Sequence, residues 1–213
     1  MDWNSLYEDP KFCLREPAEE VVKILPLLQA HKARKILDLG FGAGRHIMYF
    51  AKLGFDMYGV DISEKGREIT NMWLTQESLK AELIISDMTI IPYADNFFDV
   101  CVCRGTITHN TLDNIRVSIA EIYRTLVPQG IVMCTFISRE SSEFRRGHEI
   151  EPHTWVPDDG IEEGVPHHFV DRDEVVQLMK DFKIVDVYHM RHSGIIDIGA
   201  PYVSAHWVVV GEK

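Results

Sequence analysis

The chain has 213 residues, 46% hydrophobic and 26% charged. That is enough for one domain with a full core, and it excludes a disordered chain. With 22 Lys and Arg against 33 Asp and Glu, the net charge is −11, which argues against a nucleic-acid phosphate binder, because such proteins cluster basic residues on one face.

The four cysteines, Cys13, Cys101, Cys103 and Cys134, include no C-x-x-C pair. Neither a zinc site nor a disulfide framework is expected; free buried thiols in a reducing compartment fit better. The opening MDWNSLYEDPKF has no basic region followed by an apolar one, and no apolar run approaches the roughly 18 residues of a membrane span. A cytoplasmic location is expected.

In chain order, apolar residues Val21, Val22, Leu25 and Leu28 predict a helix over 16–29, with Pro17 in its first turn and Pro26 ending or kinking it. KILDL at 35–39 reads as a buried strand ending in glycines. A helix over 44–53 follows, with Ile47, Met48, Phe50 and Ala51 inward. Next come a strand at 56–60, a helix capped by Ser63 and running to about 77, and strands at 82–86 and 97–103. Helical spacing returns over 112–126, then a strand at 130–137, a helix over 171–180 with Val175, Leu178 and Met179 inward, and strands at 184–190 and 206–210.

This alternation predicts a three-layer, doubly wound, mostly parallel α/β sheet. The last two strands have no helix between them, so a hairpin is the natural link and one of the two runs antiparallel. Residues 138–169 break the rhythm, with Pro152, Pro157, Gly160, Gly164 and Pro166. A loop that long in a compact domain is usually a lid, a binding loop or disorder.

The strongest local signal is Ile36-Leu37-Asp38-Leu39-Gly40-Phe41-Gly42-Ala43-Gly44-Arg45. A strand runs into three glycines and a helix N-terminus, which suits a ligand lying against bare backbone. The dinucleotide spacing G-x-G-x-x-G needs a third glycine where Arg45 stands. Asp38, inside the strand, would be poor company for a pyrophosphate but suits an ammonium group. Asp61, ending the second strand, can take both hydroxyls of a ribose. Asp87 can accept from an adenine amino group, with Met88 beside the ring. Together these residues ask for an adenosine joined to a cationic amino acid, which describes S-adenosylmethionine.

On ILDLGFGAGR, GVDIS, SDM, IPYADNFFDVCVCRG and LVPQGIVM, in that order, the sequence resembles the class I S-adenosylmethionine-dependent methyltransferases of small-molecule type, over roughly 36–133. The resemblance implies a Rossmann-like sheet of seven strands with an antiparallel last strand. It implies that Asp38 lies near the methionine amino group and that Gly40, Phe41, Gly42 and Gly44 form the cradle. By the same resemblance Asp61 binds the ribose, Ile62 packs on the adenine, Asp87 and Met88 read the adenine, and Arg104 lies by the methionine part. A single domain is expected: a cap segment and helix at 1–30, the cofactor core at 31–137, a substrate lid at 138–170, and a closing helix with terminal hairpin at 171–213.

Methyl transfer from a sulfonium is an in-line displacement, so a general base is optional. His109, past the fourth strand, is the first candidate, followed by His168 and Tyr7. His46 either lines the methionine end or packs there, and Arg45 reads as a solvated first-turn side chain. Trp3, Tyr7 and Phe12 either fold over the pocket or staple the first helix. His167 and His168, adjacent on an extended chain, would point apart, so no metal site is expected. The segment from 139 to 170 carries eight acids against three arginines, a solvated surface or a preference for a cationic acceptor.

The expected activity is methyl transfer from S-adenosylmethionine to a small molecule, with S-adenosylhomocysteine as product, by a monomer or homodimer without membrane or nucleic-acid partners. A protein or nucleic-acid methyltransferase of the same fold and a non-catalytic S-adenosylmethionine-binding module are the alternatives. Against the nucleic-acid one, Arg104-Gly105-Thr106-Ile107 stands where an N-P-P-Y-type tetrad would.

Overall fold

A computed structural model describes residues 3–195 and 201–213. The first five strands are β1 (Lys35–Leu39), β2 (Asp56–Asp61), β3 (Ala81–Ile85), β4 (Phe98–Cys103) and β5 (Leu126–Ile137). They pair in parallel, as connections through helices require. These helices are α4 (Arg45–Lys52), α5 (Glu64–Gln76) and α6 (Leu112–Thr125). Ahead of them lie α1 (Trp3–Leu6), α2 (Glu19–Lys23) and α3 (Leu25–Ala30). Near the C-terminus stand α7 (Arg172–Leu178), β9 (Lys183–Ile195) and β10 (Pro201–Glu212).

The seven-stranded sheet has the order β3-β2-β1-β4-β5-β10-β9. β10 runs antiparallel to both neighbours, β5 and β9, as expected for the last strand. The residues joining β9 to β10 lie outside the described ones, and with them the expected hairpin turn.

Side chains alternate across β1. Ile36 enters the core on the α3, α4 and α5 face with Leu28, Ile47, Phe50 and Trp73. Leu37 and Leu39 enter the opposite core with Ile115, Ile119, Val175 and Met179. The inward faces expected for α4 and α7 are the buried ones, except that Leu178 is half-buried. Cys101, Cys103 and Cys134 share that second core as free thiols. Strand order reverses between β1 and β4, and such a switch point opens a ligand crevice at the strands' C-terminal ends.

Two regions differ from the sequence reading. The single helix expected over 16–29 is two, α2 and α3, broken at Ile24. Pro26 offers no N–H and its ring would strike the residue-22 carbonyl of a continuous helix, so it sits in the first turn of a new one. Pro17 precedes the Ala18 cap and stays outside α2. The irregular stretch after β5 is also built. It holds a three-stranded sheet, β6 (His148–Glu151), β7 (Thr154–Val156) and β8 (His167–His168). Arg139 ties this segment to α7, with 2.6 Å ion pairs to Asp171 and Glu174. Among the described residues no helix is long and apolar enough to cross a membrane.

Candidate active site

β1 delivers the chain into a turn whose three glycines, Gly40, Gly42 and Gly44, all have positive φ. Only glycine takes that conformation without cost. The turn is packed from both sides. A Cβ on Gly40 would meet Thr106, and one on Gly42 would meet the Tyr7 hydroxyl. Gly40, Phe41 and Gly42 line a cavity of about 280 Å³. Gly44 does not reach its wall; it caps α4 against Thr70.

Asp61 ends β2 directly beside this turn. Its Oδ2 accepts the Gly42 N–H at 2.8 Å and its Oδ1 accepts the Ser63 N–H at 2.8 Å. Both oxygens are thus fixed in place, and each keeps a lone pair for another donor. A ribose diol asks for that arrangement. Ile62, next in the chain, leaves an apolar side chain 45% exposed at the cavity edge. Asp87 and Met88 line the same end, with Asp87 Oδ1 held by the Thr89 N–H and hydroxyl at 2.8 and 2.6 Å.

At the other end, Arg45, His46 and Arg104 line the cavity. Asp38 stands behind them, 1% exposed and not itself on the cavity wall. Its Oδ2 is buried with no hydrogen-bond partner, 3.9 Å from His46 Nδ1. His46 Nε2 accepts the Ala18 N–H, which leaves the ring proton on Nδ1. Burial pulls His46 down to about 3, helped by Arg45 and Arg104, and burial pushes Asp38 up to about 7. Arg104 is pinned by the buried Glu20 at 2.9 Å. Arg45, read from the sequence as solvated, faces the cavity instead.

These values carry a pH signature. An Asp raised from 3.8 to about 7 holds a proton in the folded chain that the unfolded chain releases. Its contribution to stability therefore falls as pH climbs through that window, by about 4 kcal/mol in total. His46 acts in the opposite sense below its ordinary 6.5, so the carboxyl is isolated by comparison with Asp38→Asn. Between about pH 5 and pH 8, the melting temperature of the ligand-free chain should drop more steeply than that of the variant. A bound ammonium favours the ionised carboxyl and should flatten the difference. Parallel profiles would remove Asp38 from this account.

The N-terminal segment closes the site from above. Trp3, Leu6, Tyr7, Phe12 and Leu14 all line the cavity. Asn4 Oδ1 accepts the Ser63 hydroxyl and the Lys65 N–H, both at 3.1 Å, clipping α1 to the start of α5. Burial, then the Asp61 carboxylate, pushes the Tyr7 phenol up, which holds the hydroxyl in its protonated form.

Beyond the cradle the wall continues to His109, Asn110 and Glu162. Burial and then His167 bring the His109 imidazole down to about 4. His109 Nδ1 lies 3.0 Å from His167 Nε2, which is itself 3.0 Å from Glu162 Oε2. His168 does not belong here. It is fully buried between the Thr154 hydroxyl at 2.7 Å and Glu174 at 3.1 Å, off the cavity wall. With both ring nitrogens engaged it cannot serve as the base that its position suggested. Of the eight acids in that segment only Glu162 lines the cavity; others pair locally, such as Asp158 with His148 and Asp159 with Arg146.

Residues 37–134 match the family model described as a methyltransferase domain. Over those residues the chain is similar to methyltransferase domains, and its fold is the one that class I S-adenosylmethionine-dependent methyltransferases have. Similar solved structures include a SAM-dependent methyltransferase from Methanosarcina mazei, 21% identical, covering 93% of this chain and 98% of that one at a TM-score of 0.72. Another is 1,6-didemethyltoxoflavin-N1-methyltransferase from Burkholderia thailandensis with bound S-adenosylhomocysteine, 18% identical, covering 100% and 85% at 0.69. At these identities the likeness is one of fold. The ubiquinone biosynthesis O-methyltransferase of Rickettsia akari is 24% identical over 141 residues, 63% of this chain and 55% of that protein. The chain thus spans about half the length of the curated relatives it matches. S-adenosylmethionine is the cofactor of this class. The residues present fit it: paired acceptor oxygens on Asp61, bare backbone at Gly40 and Gly42, and a buried unpartnered carboxyl near the end where an ammonium would lie.

Proposed function

We propose that the chain transfers the methyl group of S-adenosylmethionine to a small-molecule acceptor and releases S-adenosylhomocysteine. One observation carries the reading. The cavity does not stop at the cofactor cradle but runs on to His109, Asn110 and Glu162, where the Trp3 ring meets His109 edge-on. A bare binding module needs no such extension, and a roof of aromatic and aliphatic side chains suits a small acceptor better than a macromolecule. The net charge of −11 points away from nucleic acid. The relatives' names, a ubiquinone biosynthesis O-methyltransferase and a didemethyltoxoflavin N1-methyltransferase, are in keeping with small acceptors.

In this reading Asp61 takes the ribose hydroxyls, Asp87, Met88 and Ile62 receive the adenine, and Arg45 and Arg104 lie by the methionine carboxylate. The chain's remaining task is to align the acceptor with the methyl and to keep water out. The N-terminal segment and the segment over 138–170 act as the two covers. The acceptor atom attacks the methyl, the carbon–sulfur bond breaks, and its electron pair stays on sulfur.

The test has two arms. S-adenosylmethionine and S-adenosylhomocysteine at saturating concentration should each raise the melting temperature by about 5–10 °C, while NAD should not. Incubating S-adenosylmethionine with pooled small metabolites should release S-adenosylhomocysteine, and a protein or nucleic-acid extract should not. Stabilisation by NAD alone, or turnover only with the macromolecular extract, would overturn the reading.

A further inference from the structure

We propose that His109, His167 and Glu162 form a three-ligand site for a divalent transition-metal ion at the acceptor end of the cavity. The three residues come from separate places in the chain: the loop after β4, the loop between β7 and β8, and β8 itself. Their donor atoms nevertheless lie within 4.8 Å of one another. His109 and Glu162 line the cavity, and the buried His167 closes the cluster from behind.

The hydrogen bonding within the cluster is over-subscribed. His167 Nε2 faces His109 Nδ1 and Glu162 Oε2, each at 3.0 Å. That nitrogen carries either one proton or one lone pair. One N–H cannot point squarely at two acceptors, and one lone pair leaves the carboxylate facing another acceptor, so in either tautomer of neutral His167 one of the two contacts is poorly satisfied without a cation. A metal ion there accepts a lone pair from each of the three side chains. Ligands about 2.1 Å from a tetrahedral centre stand about 3.4 Å apart. The present 3.0 Å contacts would open by a few tenths of an ångström, within the reach of side-chain torsions.

The donor set selects the ion. Two imidazole nitrogens and one carboxylate suit Zn²⁺, Mn²⁺, Fe²⁺ or Co²⁺; Ca²⁺ and Mg²⁺ prefer oxygen throughout. Three protein ligands leave coordination positions open, as in catalytic zinc sites. The open side faces the cavity, since two of the three donors line it. His167 Nδ1 is buried without a partner, so no hydrogen bond braces that ring from behind. Such bracing usually tightens binding; its absence makes this an exchangeable ion.

The role assigned to it rests on the proposed methyl transfer. An acceptor hydroxyl bound to the ion releases its proton to water. Its oxygen forms the new bond to the methyl carbon as the carbon–sulfur bond breaks and the pair stays on sulfur.

The test uses the full chain stripped with a chelator and titrated with Co²⁺, followed by visible absorption and then by Zn²⁺ competition. One Co²⁺ per chain should bind and be displaced by Zn²⁺. Glu162→Gln and His167→Ala should each weaken Co²⁺ binding by more than about tenfold. Both variants should keep the thermal shift with S-adenosylhomocysteine, which reports an intact fold and cradle. No saturable Co²⁺ spectrum in the wild-type chain, or unchanged affinity in folded variants, overturns the metal site. Loss of the S-adenosylhomocysteine shift in the wild-type chain overturns the methyltransferase reading instead, and the Co²⁺ titration still decides the metal site.

Discussion

Asp61→Ala should cost the chain at least about a hundredfold in affinity for S-adenosylhomocysteine. The carboxylate is held by the Gly42 and Ser63 N–H groups at 2.8 Å each and lies on the cavity wall. Two hydroxyl-to-carboxylate hydrogen bonds contribute about 3 kcal/mol or more together, which is roughly two decades in Kd. The same change strips two backbone donors of their acceptor, so the ligand-free variant should also melt a few degrees lower. Isothermal titration with S-adenosylhomocysteine reads the first effect and thermal melting the second. Affinity within fivefold of wild type, in a folded variant, would mean that Asp61 only shapes the turn.

Gly66→Ala should damage both stability and binding from a position off the cavity wall. Gly66 lies in the first turn of α5, and a Cβ there would stand 2.5 Å from the Gly42 carbonyl oxygen. That oxygen belongs to main chain and cannot rotate aside as a side chain would. The helix must move off the glycine turn, or the turn must deform. Overpacking of this kind costs about 1–3 kcal/mol, or roughly 2–12 °C in a chain this long. Because the deformed element is the cradle, affinity for S-adenosylhomocysteine should fall as well. Melting curves with and without ligand separate the two effects. A variant that melts and binds like wild type would show that α5 is free to slide.

Much of the cradle was legible in the sequence because its signals are local. Asp61 follows a strand, Ser63 caps the next helix, and the glycines fall between a strand and a helix; each can be read within ten residues. Gly66 carried a faint local signal, a glycine inside a helical pattern, but its reason lies in a carbonyl 24 residues earlier. What stayed hidden depends on partners far apart in sequence. Glu20 reaches Arg104, and His109 reaches His167 and Glu162, across loops without periodicity. Neighbouring His167 and His168 illustrate the limit. Alternation correctly predicts that they point apart, yet only the folded segment decides that His167 turns toward His109 and Glu162 and His168 toward Glu174. The split at Ile24 was half legible: Pro26 announced the break but not that a second helix would start there.

The place of β10 in the sheet bears on how the chain reaches its fold. β10 is the last strand in the sequence, yet it fills an inner slot between β5 and β9. Until it arrives, β5 presents an unpaired edge whose Val132, Met133, Cys134 and Phe136 are fully buried in the finished sheet. The five parallel strands can assemble earlier, but they wait with an adhesive apolar margin. An edge of that kind recruits strands from other chains. Closure of the sheet is therefore a race between the chain's own final strand and its neighbours, and dilution or a chaperone that masks the β5 margin should favour the native outcome.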